Sequence, residues 1–395
     1  MTERTLPSHP IRVGIIGTGF AAECHADALR RLPGVQLVGI ASGTPTRARD
    51  AALALGAGRA YRDPAELIDD PEIDAVHICA INRLHAELSA TALAAGKHVL
   101  TEKPLGTGTE ETEVLSGLAD TAAGRGTIAA VCFNYRHYPV VQQLRAMLRS
   151  GEHGSAHFVH GSYLQDWLLY EGDWNWRLDP TANGPSRAIA DIGSHWLDLV
   201  QHVTGQQVTA VFADLATHHA VRHRPAVETG TFGPSTESEH EPVPVDSEDF
   251  GTVMLRFTEG TRGALVVSQV SPGRKNRLAF QLDTSETAFA WNQEHPETAW
   301  VGRRRAANLE YLRDPTQGGP RQLPAGHPEG WRDALGHLCA DFYGAVDASR
   351  NGCDHESRFA TFADGHRMAL LVEAIMQSDR TGSWIEVGEL DRVRR

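Results

Sequence analysis

From residue 11 to about 130, short apolar runs alternate with helical stretches. Residues 11–16, 35–41, 75–80, 97–100 and 128–133 read as buried strands, and 21–31, 46–55 and 85–95 as the helices between them. Gly96 stops the third helix. That order predicts repeated strand-helix-strand units, so residues 1–133 are expected to form a doubly wound parallel α/β sheet.

After a helix at 140–149 the period drops to two. Residues 157–163, 208–213, 252–257, 263–270 and 278–283 alternate as strands, and Glu259-Gly260 lies between two of them as a turn. Residues 134–395 are therefore expected to be a C-terminal α+β domain around a large, mostly antiparallel, open-faced sheet. One face of such a sheet packs on its own helices, and a free aliphatic face tends to become a subunit interface, which predicts a homo-oligomer, a dimer or tetramer. Residues 218–249, rich in Pro, Ser, Thr and Glu, read as one long loop in which His218, His219 and His223 are solvated. The last helix is placed at about 359–377, before Gly382.

Length and charge narrow the classes of function. A chain of 395 residues suits two domains. Its 37 Lys+Arg against 50 Asp+Glu give a formal charge of -13, which repels a phosphate backbone and argues against a nucleic-acid partner. No apolar run reaches the roughly 18 residues of a membrane span, and residues 1–10 lack the apolar core of a signal peptide, so a cytoplasmic location is expected. Cys24, Cys79, Cys132, Cys339 and Cys353 form no C-x-x-C pair, so reduced thiols and no metal site are expected.

Gly17-Thr18-Gly19-Phe20-Ala21-Ala22 follows the first strand and opens a helix. Gly17 permits the tight turn, Gly19 clears space for a pyrophosphate and Ala22 allows close helix-strand packing, the pattern of a dinucleotide site. At the end of the second strand, where a carboxylate would select NAD, the chain reads Ala41-Ser42-Gly43-Thr44-Pro45-Thr46-Arg47. Ser42, Thr44 and Arg47 suit an additional phosphate, so NADP is preferred, with NAD still open. The plainer reading of Arg47 is an exposed helix residue.

Two more stretches carry chemistry. Thr101-Glu102-Lys103-Pro104-Leu105 leaves the strand at 97–100 toward the sheet edge where such folds bind ligands. Asp191, His195 and Asp198 recur at steps of four and three, which places them on one face of a helix. A histidine suits proton removal from an alcohol while hydride leaves carbon, an acid beside it orients the ring, and a lysine polarises the oxygen. Taken alone, Asp191 and His195 read more readily as a capping acid and a core histidine.

Residues 92–105, the glycine turn before them and the Asp191-Ile192-Gly193-Ser194-His195 helix resemble the glucose-fructose oxidoreductase, inositol dehydrogenase and rhizopine catabolism protein family (Gfo/Idh/MocA) through nearly the whole chain. The stretch Ser162 to Trp167, with Trp176-Arg177, is similar to the levoglucosan dehydrogenase branch, and 42–47 to the anhydrofructose reductases. The resemblance implies that the parallel sheet of residues 1–133 is a Rossmann domain. It implies a dehydrogenase or reductase moving hydride between NAD(P) and a secondary alcohol of a sugar, anhydrosugar or cyclitol, with Lys103, Asp191 and His195 as the catalytic group. It also implies cofactor contacts at Asn82, His85, Glu102, Lys103, Asn134, Trp176 and Arg177. Substrate contacts are implied at Lys103, Arg136, Tyr163, Gln165, Asp191 and His195, and at His327 in a late loop. Relatives that hydrolyse or epimerise through a transient ketone, or that sense a sugar without turnover, offer alternative functions. The family's usual Thr-Pro-Asn is here Ala80-Ile81-Asn82, and its glycine run before the Asp is Gly184-Pro185-Ser186-Arg187.

Overall fold

The structure, a computed structural model, describes residues 10–225, 240–314, 323–324 and 326–388. The chain divides into two compact units, 1–137 with 331–366 and 138–330 with 367–395.

The first unit opens with β1 (Ile11–Ile16), α1 (Phe20–Arg30), β2 (Val35–Ala41), α2 (Pro45–Ala54), β3 (Arg59–Ala60) and α3 (Pro64–Asp69). It continues with β4 (Ala75–Ile78), α4 (His85–Ala94), β5 (His98–Thr101), α5 (Thr109–Ala123) and β6 (Ala129–Val131). The six strands lie in the order β3-β2-β1-β4-β5-β6, all parallel, as the alternating apolar runs predict. The sequence pattern missed α5 because Val114 and Leu118 face solvent, which blurs its apolar stripe.

The second unit begins with α6 (Pro139–Arg149), β7 (Ala156–Leu164), the short α7 (Pro180–Asn183) and α8 (Ser194–Thr204). Strands β8 (Val208–Ala216), β9 (Val221–Pro225), β10 (His240–Pro244), β11 (Phe250–Phe257) and β12 (Arg262–Ser268) follow, then β13 (Arg277–Thr284), β14 (Thr287–Asn292), β15 (Thr298–Arg303) and β16 (Leu309–Leu312). With β17 (Ile385–Glu386) they give a nine-stranded sheet, β16-β15-β14-β13-β7-β12-β11-β8-β17, antiparallel except for the β7–β12 pair.

The expected loop at 218–249 needs correction, although residues 226–239 lie outside the described residues. β9 and β10 pair as an antiparallel ribbon, Arg222 is fully buried, and the backbone N–H groups of His218 and His219 donate to Asp249 at 2.7 and 3.0 Å. Nor is His219 solvated, since its Nε2 faces the Leu169 carbonyl at 2.8 Å. Prolines and charges hid the strands because one buried ion pair, rather than an apolar face, anchors this segment.

The helix α9 (Trp331–Arg350) belongs to the first unit, where Leu338, Phe342 and Val346 join the core around Ile11, Val13 and Ile15. The boundary between units falls within α10 (Phe362–Thr381), later than the predicted 359–377. Among the described residues, no helix is long and apolar enough to cross a membrane. Four of the five cysteines are buried and all are free.

Candidate active site

In the first unit every residue singled out lies at the carboxyl ends of the parallel strands, in the loops leaving them or on the first turns of the helices that follow. Gly17 has φ +128, and a Cβ on it would stand 2.2 Å from the Cys79 carbonyl oxygen, so only glycine makes this turn. Gly19 precedes α1, and a Cβ there would meet open space, the room that a phosphate needs at a helix N-terminus. Ala22 is fully buried, while Phe20 is exposed and lies 5.8 Å from the Trp331 ring.

After β2, Ser42 is buried, and Thr44 caps α2 by accepting from the Arg47 backbone N–H at 3.3 Å. Arg47 is exposed on the first turn. After β4, Asn82 is buried and opens a short 3-10 turn. The His85 ring has its Nδ1 at 2.7 Å from the Pro104 carbonyl and its Nε2 at 2.9 Å from that of Ala80. The neutral ring donates its one N–H to one of these two carbonyls, and the side chain sits between the Glu102–Pro104 loop and the neighbouring one. Burial lowers its pKa against the pull of those two carbonyls.

Glu102 and Lys103 follow β5, with the Lys103–Pro104 bond cis and the Lys103 backbone N–H donating to Glu102 Oε2 at 3.2 Å. Burial pushes the Glu102 carboxyl up, but the hydrogen bond from His25, with further help from Lys103 and Cys132, brings it down to about 2. After β6, Arg136 is buried and donates to Asp364 at 3.4 Å. Asn134 is 2 % exposed, and its Nδ2 has no hydrogen-bond partner among the described residues. A buried amide donor left open on the same sheet edge as a glycine turn shaped for phosphate, three strands away, fits a nicotinamide dinucleotide spanning this edge.

The second unit gathers the remaining residues. Asp191 lies in a π-helical turn, Ile189–Gly193, that runs into α8, so the predicted face of a regular helix begins instead at a widened turn, a feature common at functional sites. The Asp191 carboxylate accepts from Arg177 Nε at 3.2 Å and from Gln269 Nε2 at 2.9 Å. Arg177 stacks over Trp176 with its guanidinium 4.5 Å from the ring centre. His195 is buried on the first turn of α8, 6.2 Å from the Tyr163 ring, and Asp198 is buried one turn on.

Tyr163 and Gln165 both donate to Asn276 Oδ1, at 2.7 and 2.9 Å, and Trp167 Nε1 donates to Gln165 Oε1 at 2.8 Å. His327 is exposed, with its Nδ1 3.2 Å from the Pro324 carbonyl, in a loop held by Arg313. The sequence reading missed Asn276 and Gln269, single amides without a motif. It also missed the partners of Arg187, although the replaced glycine run pointed to that segment.

Residues 11–133 match the oxidoreductase family with an NAD-binding Rossmann fold, and residues 141–289 match the GFO/IDH/MocA C-terminal domain. The chain belongs to this family. It is 30% identical over 399 residues to a levoglucosan dehydrogenase of Pseudarthrobacter phenanthrenivorans, covering 96% of this chain and 99% of that one. A structure of levoglucosan dehydrogenase in complex with NADH and levoglucosan is similar at a TM-score of 0.84 and 27% identity, covering 96% of this chain and all of that one. An inositol dehydrogenase homolog of Azotobacter vinelandii complexed with NAD+ is similar at 0.82 and 25%, covering 96% and 98%. The protein is thus an oxidoreductase of the Gfo/Idh/MocA family with an NAD-binding Rossmann domain.

Proposed function

We propose that the protein oxidises one secondary hydroxyl of a sugar, anhydrosugar or cyclitol, or reduces the matching ketone, with Lys103, Asp191 and His195 as its catalytic residues and NADP as the preferred cofactor. The observation that carries this reading is the second-unit cluster, in which His195 stands beside the Tyr163 ring and one turn after an Asp191 carboxylate held by Arg177 and Gln269. Such a cluster offers a sugar an aromatic surface for C–H groups, acceptors and donors for hydroxyls, and a proton acceptor.

The bound dinucleotide supplies the hydride acceptor. His195 takes the hydroxyl proton at a ring nitrogen, and Asp191 keeps negative charge near the imidazolium that forms. Lys103 donates to the substrate oxygen as it becomes a carbonyl. For the cofactor, the absence of any carboxylate from residues 41–47 and the exposed Arg47 support NADP. The exposed apolar residues Phe250, Met254, Val266 and Trp300 on the nine-stranded sheet support a homo-oligomer formed through that face. Soluble expression in the cytoplasm is part of the same reading.

The test is a panel of hexoses, levoglucosan and inositols with NADP or NAD, followed at the nicotinamide absorbance band. Turnover of a sugar is expected, with Lys103→Ala losing it while still binding cofactor. Undiminished turnover by Lys103→Ala would overturn the assignment.

A further inference from the structure

The carboxylate of Asp191 stands at the end of a chain of buried polar groups that begins far from it in sequence. Arg222 Nη2 donates to Asp249 at 2.6 Å, and Arg187 Nη2 donates to the same Asp249 oxygen. Arg187 Nη1 donates to Gln269 Oε1 at 3.0 Å, and Gln269 Nε2 donates to Asp191 Oδ2 at 2.9 Å. Arg187, Arg222, Asp249 and Gln269 are all completely buried.

We propose that Gln269, oriented by Arg187, is a positioning residue that fixes the Asp191 carboxylate for catalysis. The inference rests on the reading of Asp191 as catalytic. Its physical core is donor inventory. A guanidinium only donates, so the Gln269 atom facing Arg187 is the oxygen, and the atom facing Asp191 is the NH2 group. Flipping the amide would set donor against donor at one end and acceptor against acceptor at the other. Arg187 itself cannot turn, because Ser247 Oγ accepts from its Nε at 3.2 Å and Asp249 holds its other arm. The arrangement therefore presents a single donor in one direction to one carboxylate oxygen.

Stability alone is a poor account of it. Buried ion pairs pay heavily in desolvation and often add little to stability. The Arg187 backbone is anchored separately: Glu248 Oε1 accepts from the N–H groups of Arg187 and Ile189, each at 2.9 Å, and from Ser186 Oγ at 2.7 Å. Glu248 thus builds the entry to the π-helical turn, which leaves the Arg187 side chain to act on Gln269.

Charged groups facing Asp191 include Arg177 from the 3-10 turn at Trp176–Leu178 and, behind Gln269, Arg187 with Asp249 and Arg222. Glu248 lies at the start of the π turn, and His195 follows on α8. A donor bonded to the ionised carboxylate favours that form, so its loss raises the pKa of Asp191, and a carboxylate in its place raises it further.

The test uses the full-length enzyme with Gln269→Leu, Gln269→Glu and Asp191→Asn. Carboxyl-13C NMR of aspartate-labelled protein, with the Asp191 signal assigned by its absence from Asp191→Asn, needs no substrate. The Asp191 midpoint is expected to rise by about half a pH unit or more in Gln269→Leu and further in Gln269→Glu. Loss of one charge-assisted bond should lower kcat about tenfold with KM nearly unchanged. The acid limb of the rate profile should move up with the midpoint. Gln269→Glu keeps an acceptor for Arg187, so it serves if Gln269→Leu fails to fold, with cofactor binding as the check. An unmoved Asp191 midpoint in a folded variant overturns the proposal. Full activity of Asp191→Asn instead overturns the underlying reading of Asp191.

Discussion

His25 Nε2 donates to Glu102 Oε1 at 3.1 Å, tying the middle of α1 to the loop that carries Lys103. The link extends inward, because His25 Nδ1 lies 2.8 Å from His77 Nδ1, and His77 Nε2 lies 2.7 Å from the Tyr343 hydroxyl. Every ring nitrogen of the two histidines thus has a protein partner. The helix whose N-terminus faces the dinucleotide edge is also the one that anchors the lysine loop, so a shift of α1 would move both.

Acid should unfold the protein in two stages. Burial holds His77 well below the ordinary histidine range and brings His98 down to about 4. A base with a lowered folded pKa binds its proton first in the unfolded chain, so stability falls as pH drops below about 6.5. The Glu102 carboxyl, at about 2, adds stability that is complete above about 4.5 and is lost between there and 2, on the order of 3 kcal/mol. Urea unfolding at successive pH values should show both slopes, and His98→Asn should flatten the first.

Tyr343→Phe removes the hydroxyl that meets His77 in a fully buried place. Leaving that nitrogen unpartnered should cost roughly 1–3 kcal/mol, read as a lower melting temperature. Cofactor affinity should change little, since Tyr343 lies at the far end of the chain from Glu102.

Gly17→Ala should abolish cofactor binding and destabilise the first unit. The added methyl meets a backbone carbonyl at 2.2 Å in a conformation that alanine avoids. Fluorescence titration with NADPH and a thermal melt read the two effects. An alanine variant that binds cofactor normally would contradict the assigned turn.

Ser42→Asp should reverse the preference between cofactors. A carboxylate at the end of β2 accepts from the ribose hydroxyls of NAD and repels the additional phosphate of NADP. The ratio of kcat/KM for NADP to that for NAD should fall about tenfold or more, and Arg47→Glu should lower it further.

The parallel sheet was legible because buried strands must be continuously apolar, and β1 and β2 begin and end where their apolar runs do. Helix α9 was not, since its place depends on a core formed with strands some three hundred residues earlier in the chain. In the site, Gly17 and Lys103 announce themselves through local spacing. Gln269 and Asn276 do not, because an amide becomes functional only through what the fold sets against it. Arg222 and Asp249 were hidden in the same way, lying in a stretch that reads as one long loop until their burial is seen.

The assignment of α9 to the first unit also sets an order on biosynthesis. Residues 138–330 leave the ribosome before Tyr343 can reach His77, or Ala360 can bond to Val131. The nucleotide-binding sheet therefore waits, with the apolar surface that Phe342 and Leu338 will cover still open, while the strands of the second unit are already available to fold. A nascent chain cut at residue 137 carries the whole Gly17 turn but lacks the α9 residues that close its core, so it is expected to aggregate until residues 331–366 are made.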